Sequence, residues 1–405
     1  MLPETTETSI IEENGTLLVV PSLKEPKMLP AFFNPKGRFV RNVSIVCYNA
    51  FCKAYSKSKI SFADSLAGIG ARGLRVAKEV PDSETVVIND MNPRALALAR
   101  KSAEMNSITE KCLFSNEEAC SFLSSRRLIG GERFDIVDVD PFGTPSPFVD
   151  CALRAVGNGG LLSLAATDSA VLCGVYPQVA QMKYNGTSLR TDYSHEIGLR
   201  LIFGLAAAAA MRLETGIAPI FCHHNMHYFR AYCLVKVGNR HSRENERDMG
   251  FVKHCFSCGY RSTLGREEFF SSRLRAKQDG GDDSSLNSKN VMDFGICPSC
   301  SKRRLRYGGP LWIGKIQSRE FIDKCKEFQE LPMLFDPYEL DLPLYYDLTT
   351  ISQQMGTRTP RIDEVISKLR EAGRQASRTR LNPQAIRTDA PLEEIRSAMK
   401  GLLDR

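Results

Sequence analysis

The chain of 405 residues, 42% apolar and 25% charged, has the composition of an ordinary globular protein, with length for two or three domains that each bury a core. A net charge of +7 is mild at this length and suits a polyanionic partner only where the positive residues cluster. Thirteen cysteines, an odd number spread through strand-like and helix-like segments, argue for a reducing compartment and against a disulfide framework. The acidic start, with Glu4, Glu7, Glu12 and Glu13, lacks the basic region and apolar run of a targeting signal, and no stretch reaches the ~18 apolar residues of a membrane span. A cytoplasmic location is the expectation.

Residues 1–60 read as an acidic, turn-rich lead, then a turn at Phe33-Asn34-Pro35, then a basic segment with Lys36, Arg38 and Arg41. A helical pattern over Arg41–Tyr55 precedes a first strand at Lys59–Asp64. The glycine-rich turn Asp64–Gly73 follows and opens a helix over Leu74–Val80. Further strands fall at Thr85–Ile88, ending in Asn89-Asp90, at Cys112–Phe114, ending in Asn116–Ala119, at Phe134–Val139, and at Leu161–Ala166. Strand, turn and helix thus alternate, and right-handed crossovers turn that alternation into a parallel, doubly wound α/β sheet with every strand end on one rim. An Ala-rich helix around Leu199–Met211 is interrupted by Arg200.

Gly68 to Gly73 fit G-x-G-x-x-G, and Asp90 stands about where a ribose-binding carboxylate belongs. Taken alone the pattern serves a nicotinamide nucleotide as well as S-adenosylmethionine. Asp64 beside the turn and Glu117-Glu118 after the third strand favour the methyl donor, because a cationic sulfonium prefers an acidic rim and a pyrophosphate does not. The fourth strand delivers Asp140-Pro141-Phe142-Gly143-Thr144-Pro145 to the same rim. A carboxylate, a backbone carbonyl and a flat ring in succession can hold a planar base and accept hydrogens from its exocyclic amine. A lone Asp-Pro would more simply cap a helix; the Phe-Gly-Thr-Pro that follows and the motifs upstream argue for the site.

These segments resemble the class I methyltransferase motif series, and Asp140–Pro145 resembles the signature of the tRNA guanine-26 N2-dimethyltransferases. Phe33-Asn34-Pro35, Thr167-Asp168-Ser169, Leu172-Cys173-Gly174, Lys183-Tyr184, His195-Glu196, Gly309–Trp312 and Pro343–Asp347 are similar to that family as well. Glu118 departs from the Asp found there, and Thr379-Arg380 fills a segment where relatives carry His. The resemblance implies a Rossmann-like methyltransferase domain over residues 1–238, S-adenosylmethionine as methyl donor, and tRNA as the partner. It implies donor contacts from Arg38, Asp64, Gly68, Gly70, Asp90, Glu118 and Ala119. Asp140, Pro141 and Phe142 are the catalytic set it implies, with Asp168 supporting the pocket wall. Neither a membrane nor an obligate protein partner is implied.

From Gly238 the composition turns charged and polar, and Asn239–Arg243 reads as a linker into a smaller α+β domain over 239–405. Cys255-Phe256-Ser257-Cys258 and Cys297-Pro298-Ser299-Cys300 are two C-x-x-C turns, which together make a four-thiolate, structural zinc site. The loop between them exceeds the ~15–20 residues usual for such pairs, and its polar stretch Asp279–Asn290 reads as an insertion. His223-His224 on a strand would face opposite ways and so make a poor metal site. The arginines and lysines of 356–387, Arg358 through Arg387, are a candidate phosphate-binding surface. Competing readings are an amino-methyltransferase on another nucleic acid or protein, a nicotinamide-dependent oxidoreductase, and a non-catalytic tRNA-binding zinc protein.

Overall fold

The computed structural model describes residues 8–22, 31–125, 133–271, 296–328, 334–336 and 339–403. The polar insertion Asp279–Asn290 lies outside them. The chain forms two compact units, each gathered from separate stretches: Met1–Thr167, Tyr232–Val237 and Ser318–Phe335 in the first, and Asp168–Ala231, Gly238–Gln317 and Asp336–Arg405 in the second.

The first unit begins with a hairpin where the sequence suggested only a turn-rich lead. Strands β1 (Thr8–Glu13) and β2 (Thr16–Pro21) pair antiparallel about Asn14-Gly15, whose φ values of 47° and 77° are those of a type I′ turn. The elements that follow are α1 (Arg38–Ala54), β3 (Ile60–Asp64), α2 (Ala71–Glu79), β4 (Ser83–Asn89) and α3 (Pro93–Met105). Next come β5 (Cys112–Ser115), α4 (Ala119–Ser125), β6 (Phe134–Val139), α5 (Val149–Ala155) and β7 (Val156–Ala166). The hairpin is fastened where the Val19 N–H donates to Ser102 Oγ at 2.9 Å and the Leu17 N–H to Asn106 Oδ1 at 3.0 Å.

The five anticipated strands pair in parallel in the order β5-β4-β3-β6-β7. Two strands not anticipated as part of it, β8 (Thr215–Asn225) and β9 (Tyr228–Val237), complete a seven-stranded sheet through β9. Phe62, Ala63, Val86, Ile88, Ile136 and Val137 are buried, as unbroken apolar runs in a sheet covered on both faces should be. Chain order reverses between β3 and β6, so the carboxyl ends of these neighbours, with Asp64 in register with Asp138, form the crevice where such sheets bind ligands.

In the second unit, helix α6 (Ser169–Leu172) and α7 (Pro177–Tyr184) precede α8 (Ser194–Arg212), the expected Ala-rich helix. Arg200 does not break it, because its guanidinium is buried against Glu196 at 2.8 Å and donates to the carbonyls of Trp312 and Gly314. The expected linker after Gly238 is instead α9 (Asn239–Arg247). Its composition is linker-like, yet Asn245 exchanges two hydrogen bonds with the Ile217 backbone, and that anchor decides the conformation. A sheet β11-β10-β12, made of β10 (Met249–Cys255), β11 (Arg261–Gly265) and β12 (Leu305–Trp312), carries the C-x-x-C turns. A last small sheet, β13 (Tyr346–Asp347), β14 (Ala376–Thr379) and β15 (Asn382–Thr388), packs its Ile386 with Ile351, Val365, Leu369 and Ile395 from the surrounding helices. Among the described residues no helix is long and apolar enough to cross a membrane.

Candidate active site and four-cysteine cluster

The first site lies wholly in the first unit, at the reversal point of the sheet. Between β3 and α2 the chain needs left-handed residues, and glycines supply them: Gly68 has φ +56° and Gly70 φ +75°. A Cβ on Gly68 would also sit 3.3 Å from the Phe32 carbonyl oxygen, so the turn and the segment before α1 touch through bare backbone. The Asp90 carboxylate at the end of β4 braces this turn, accepting from the Gly68 N–H at 2.7 Å and from the Asn92 N–H at 2.8 Å. Asn89, buried beside it, donates to the carbonyls of Ser65 and Glu117 and accepts from the Glu117 N–H, tying three strand ends together.

Glu118 and Ala119 start α4. The Glu118 side chain accepts from the Ser121 N–H at 2.8 Å, and backbone N–H groups of Cys120 and Ser121 hold its carboxyl below the usual range. Glu117 turns back onto Ser115 and Ser125. Arg38 is exposed at the first turn of α1, whereas Arg41, of the same basic segment, is buried in an ion pair with Glu13 at 2.5 Å.

The feature that sequence reasoning passed over is Arg72, inside the glycine motif. Its guanidinium is buried and branches to three partners: Asp138 Oδ2 from Nε at 2.9 Å, Ser44 Oγ at 2.5 Å, and the Asp140 carboxylate. Asp138 also accepts from the Tyr48 hydroxyl at 2.8 Å. Burial pushes the Asp64 carboxyl up to about 7, with Asp138 adding to the push and Arg72 and the Gly73 N–H opposing it. A charged residue within a glycine turn, facing alternate carboxylates at Asp138 and Asp140 on one strand, was the available signal. One cation thus fixes the direction of the Asp140 carboxylate, which keeps 25% of its side chain exposed.

Beyond Asp140, the loop is clamped to the end of β7: the Gly143 N–H donates to Thr167 Oγ1 at 2.9 Å and the Thr167 N–H to the Gly143 carbonyl at 2.7 Å. Pro141 is buried and Phe142 is 78% exposed. Phe32, itself 54% exposed, meets Phe142 edge to face with ring centroids 4.6 Å apart. The backbone of Phe32 abuts Gly68 and its ring abuts Phe142, so the glycine turn and the Asp140 loop are one residue's span apart. Two exposed rings beside an oriented carboxylate can hold a flat base. Cys120 of α4 and Cys151 of α5 are joined in a disulfide, which the expectation of a reducing compartment did not foresee; the other eleven are free, so there is no disulfide framework.

In the second unit, the Asp168 carboxylate accepts from the Tyr184 hydroxyl at 2.5 Å and pairs with Lys183 at 3.6 Å. Cys255, Cys258, Cys297 and Cys300 converge, their sulfur atoms all within 4.8 Å of one another, with Cys255–Cys300 at 3.7 Å and Cys258–Cys297 at 3.6 Å. A tetrahedron of Zn–S bonds of ~2.3 Å has edges of about 3.75 Å, so the set fits zinc with no position left for water. Backbone N–H groups of Ser257 and Cys258 point at the Cys255 sulfur, and those of Ser299 and Cys300 at that of Cys297, as thiolates require.

The histidine pair and the basic segment also fall in the second unit. His224 is stacked on His195 with ring centroids 3.9 Å apart and donates to the Leu381 carbonyl; burial, helped by His195, pulls its pKa down to about 4. Of the basic segment 356–387, Arg380 and Arg387 are buried in ion pairs with Glu339, and Arg387 also with Glu196. Arg374 pairs with Glu394 and Arg378 with Asp363, so half of the anticipated phosphate-binding charge is already matched.

The family model for N2,N2-dimethylguanosine tRNA methyltransferases matches residues 10–400. A tRNA (guanine(26)-N(2))-dimethyltransferase of Methanothermobacter thermautotrophicus is 32% identical, the alignment covering 97% of this chain and 99% of that one. The protein of the same name from Pyrococcus abyssi is 29% identical over 94% and 96% of the two chains. Among solved structures, Trm1 from Pyrococcus horikoshii, in complex with S-adenosyl-L-methionine, superposes with a TM-score of 0.79 at 26% identity, covering 96% of this chain and 99% of that one. With the sheet, the glycine turn and the Asp140 loop in place, and a match over nearly its whole length, the chain belongs to the N2,N2-dimethylguanosine tRNA methyltransferase family.

Proposed function

We propose that the chain is an S-adenosylmethionine-dependent enzyme that adds one methyl group and then a second to the exocyclic N2 of guanine 26 in tRNA. The observation that most supports this is the Asp140 carboxylate, aimed by Arg72 and flanked by the exposed rings of Phe142 and Phe32, next to a glycine turn that Asp90 braces. The residues suit the donor. Gly68 and Gly70 present bare backbone, and Asp90 retains a free lone pair on each oxygen for ribose hydroxyls. Asp64, Glu118 and Ala119 stand at the same strand ends, Arg38 is an exposed cation for the donor's carboxylate, and the four cysteines hold a structural zinc ion.

When bound, S-adenosylmethionine supplies an electrophilic methyl group on a sulfonium. The target guanine, drawn out of its stack, lies against the exposed ring of Phe142, which Phe32 backs edge to face. Asp140 accepts one hydrogen of the exocyclic amine and the Pro141 carbonyl the other, which turns the nitrogen lone pair away from both acceptors. The amine nitrogen takes the methyl group as its bond to sulfur breaks, the electron pair staying on sulfur as a neutral thioether, and the displaced N–H proton passes to Asp140 and then to water. After one round a single N–H remains, and one acceptor suffices to orient it. Residues 1–238 perform the transfer, and 239–405, including the cysteine cluster, bind tRNA in the cytoplasm.

The test is incubation with methyl-labelled donor and unmodified tRNA transcript, followed by nucleoside analysis. Label should appear in N2-methyl- and N2,N2-dimethylguanosine and vanish with a transcript lacking guanine 26. Label on any other atom overturns the proposal.

A further inference from the structure

Half of the cations expected to grip phosphate in 356–387 are matched by carboxylates, which raises the question of which others stay available. Lys302, Arg303 and Arg304 directly follow the second C-x-x-C turn; all three are exposed, and none pairs with a carboxylate among the described residues. The run is pinned to the cluster: the Cys297 N–H donates to the Lys302 carbonyl at 3.0 Å, and the Ser301 N–H to the Cys297 carbonyl at 2.9 Å. The Phe256 N–H, from the first turn, donates to the Arg304 carbonyl at 3.1 Å, so an aromatic residue stands against the basic run. Phe256 is 42% exposed, its ring edge-on to His254 at 4.6 Å. An apolar ring left open beside three unmatched cations is poorly explained as plain protein surface.

We propose that this tip of the four-cysteine cluster is a tRNA-contacting surface, in which Phe256 stacks on an unpaired nucleotide while Lys302, Arg303 and Arg304 take flanking phosphates. The assignment rests on tRNA being the substrate. Charge complementarity selects the occupant, since three cations with no internal partner suit a phosphate backbone, and an aromatic face suits any base. A zinc tetrathiolate is itself anionic, and the adjacent basic run more than offsets it, leaving the tip positive. Both turns are fixed by their cysteines, so little freedom is lost on docking.

The test uses the full chain loaded with zinc and measures tRNA affinity over a range of salt. Replacing Lys302, Arg303 and Arg304 together by Gln should lower the slope of log affinity against log salt by ~2–3, at about 0.7–0.9 for each phosphate no longer neutralised. Phe256→Ala should weaken binding roughly 5- to 100-fold. Zinc stoichiometry and donor binding serve as folding controls. Should the triple variant lose zinc, Arg303→Gln alone carries the test, with a slope change of ~0.7–0.9. Wild-type affinity and slope in zinc-loaded variants overturn the surface, as does polyglutamate competing as well as tRNA. A wild-type chain that binds tRNA but puts no methyl on guanine N2 overturns the proposed reaction instead, while the salt slopes still decide the surface.

Discussion

Replacing Arg72 by Met tests the assembly of the first site most directly. In the native chain this one guanidinium lies among Asp64, Asp138 and Asp140, of which Asp138 is fully buried. Removing the cation leaves a buried carboxylate without its partner, a change that costs about 3–5 kcal/mol, or roughly 6–20 °C in melting temperature for a unit of this size. The pH dependence is diagnostic. Asp64 already has its folded pKa raised to about 7 from 3.8, so the folded state holds a proton that the unfolded state releases. That contribution is present at low pH and is lost as pH rises through the folded value. Without Arg72 the carboxylates repel unopposed and the Asp64 carboxyl loses the cation that holds it down, so the penalty in the variant should be smaller near pH 5 than near pH 8. Chemical denaturation at both pH values measures it, and methyl transfer should fall about 100-fold as the Asp140 carboxylate loses its anchor. A loss under ~1 kcal/mol, or one independent of pH, would refute the account of Arg72 as the common counter-ion.

Asp140→Asn should cut methyl transfer by ~100- to 10,000-fold while donor affinity, read by calorimetry, stays within about twofold; full activity removes Asp140 from the mechanism. Zinc release by a thiol-blocking reagent should yield one ion per chain and unravel the small core of Phe251, Leu264, Phe269 and Leu305 around the cluster, seen as a lost thermal transition. Substituting Cys151 with Ser in oxidised protein should cost about 3–4 kcal/mol for opening a link across 31 residues. A reducing agent should bring the wild type to the same urea midpoint, and no shift on reduction would mean the bond is absent.

The sheet was legible because its strands are short apolar runs closed by Gly, Asp or Asn, and period and punctuation suffice for that. The positions of Gly68, Asp90 and Asp140 on one rim were legible because they follow from where the strands end. Arg72 was not, since only the fold puts Ser44, Asp138 and Asp140 around it. The N-terminal hairpin was hidden by the acidic residues near it, although Asn14-Gly15 is a strong hairpin signal. Charge counting failed over 356–387 for the opposite reason: Glu339 and Glu196 are distant in sequence, so nothing local shows that Arg380 and Arg387 are buried against them. Phe32, read only as part of the turn Phe32-Phe33-Asn34-Pro35, shows its contacts with Gly68 and Phe142 only in the fold.

The first unit is stitched from three stretches that are far apart in sequence, and synthesis runs in one direction. Its sheet region through Thr167 emerges from the ribosome well before Tyr232–Val237, and the Ser318–Phe335 piece later still. At ~5–20 residues per second the nascent first unit waits roughly ten to thirty seconds for its last segment. During that interval β7 presents an unfilled flank, and α1 lacks the helix Arg319–Lys326 that packs on it. A gene fragment ending near Thr167 would therefore yield an aggregation-prone stub, and any split or shortened version of this enzyme has to carry the two distal pieces along.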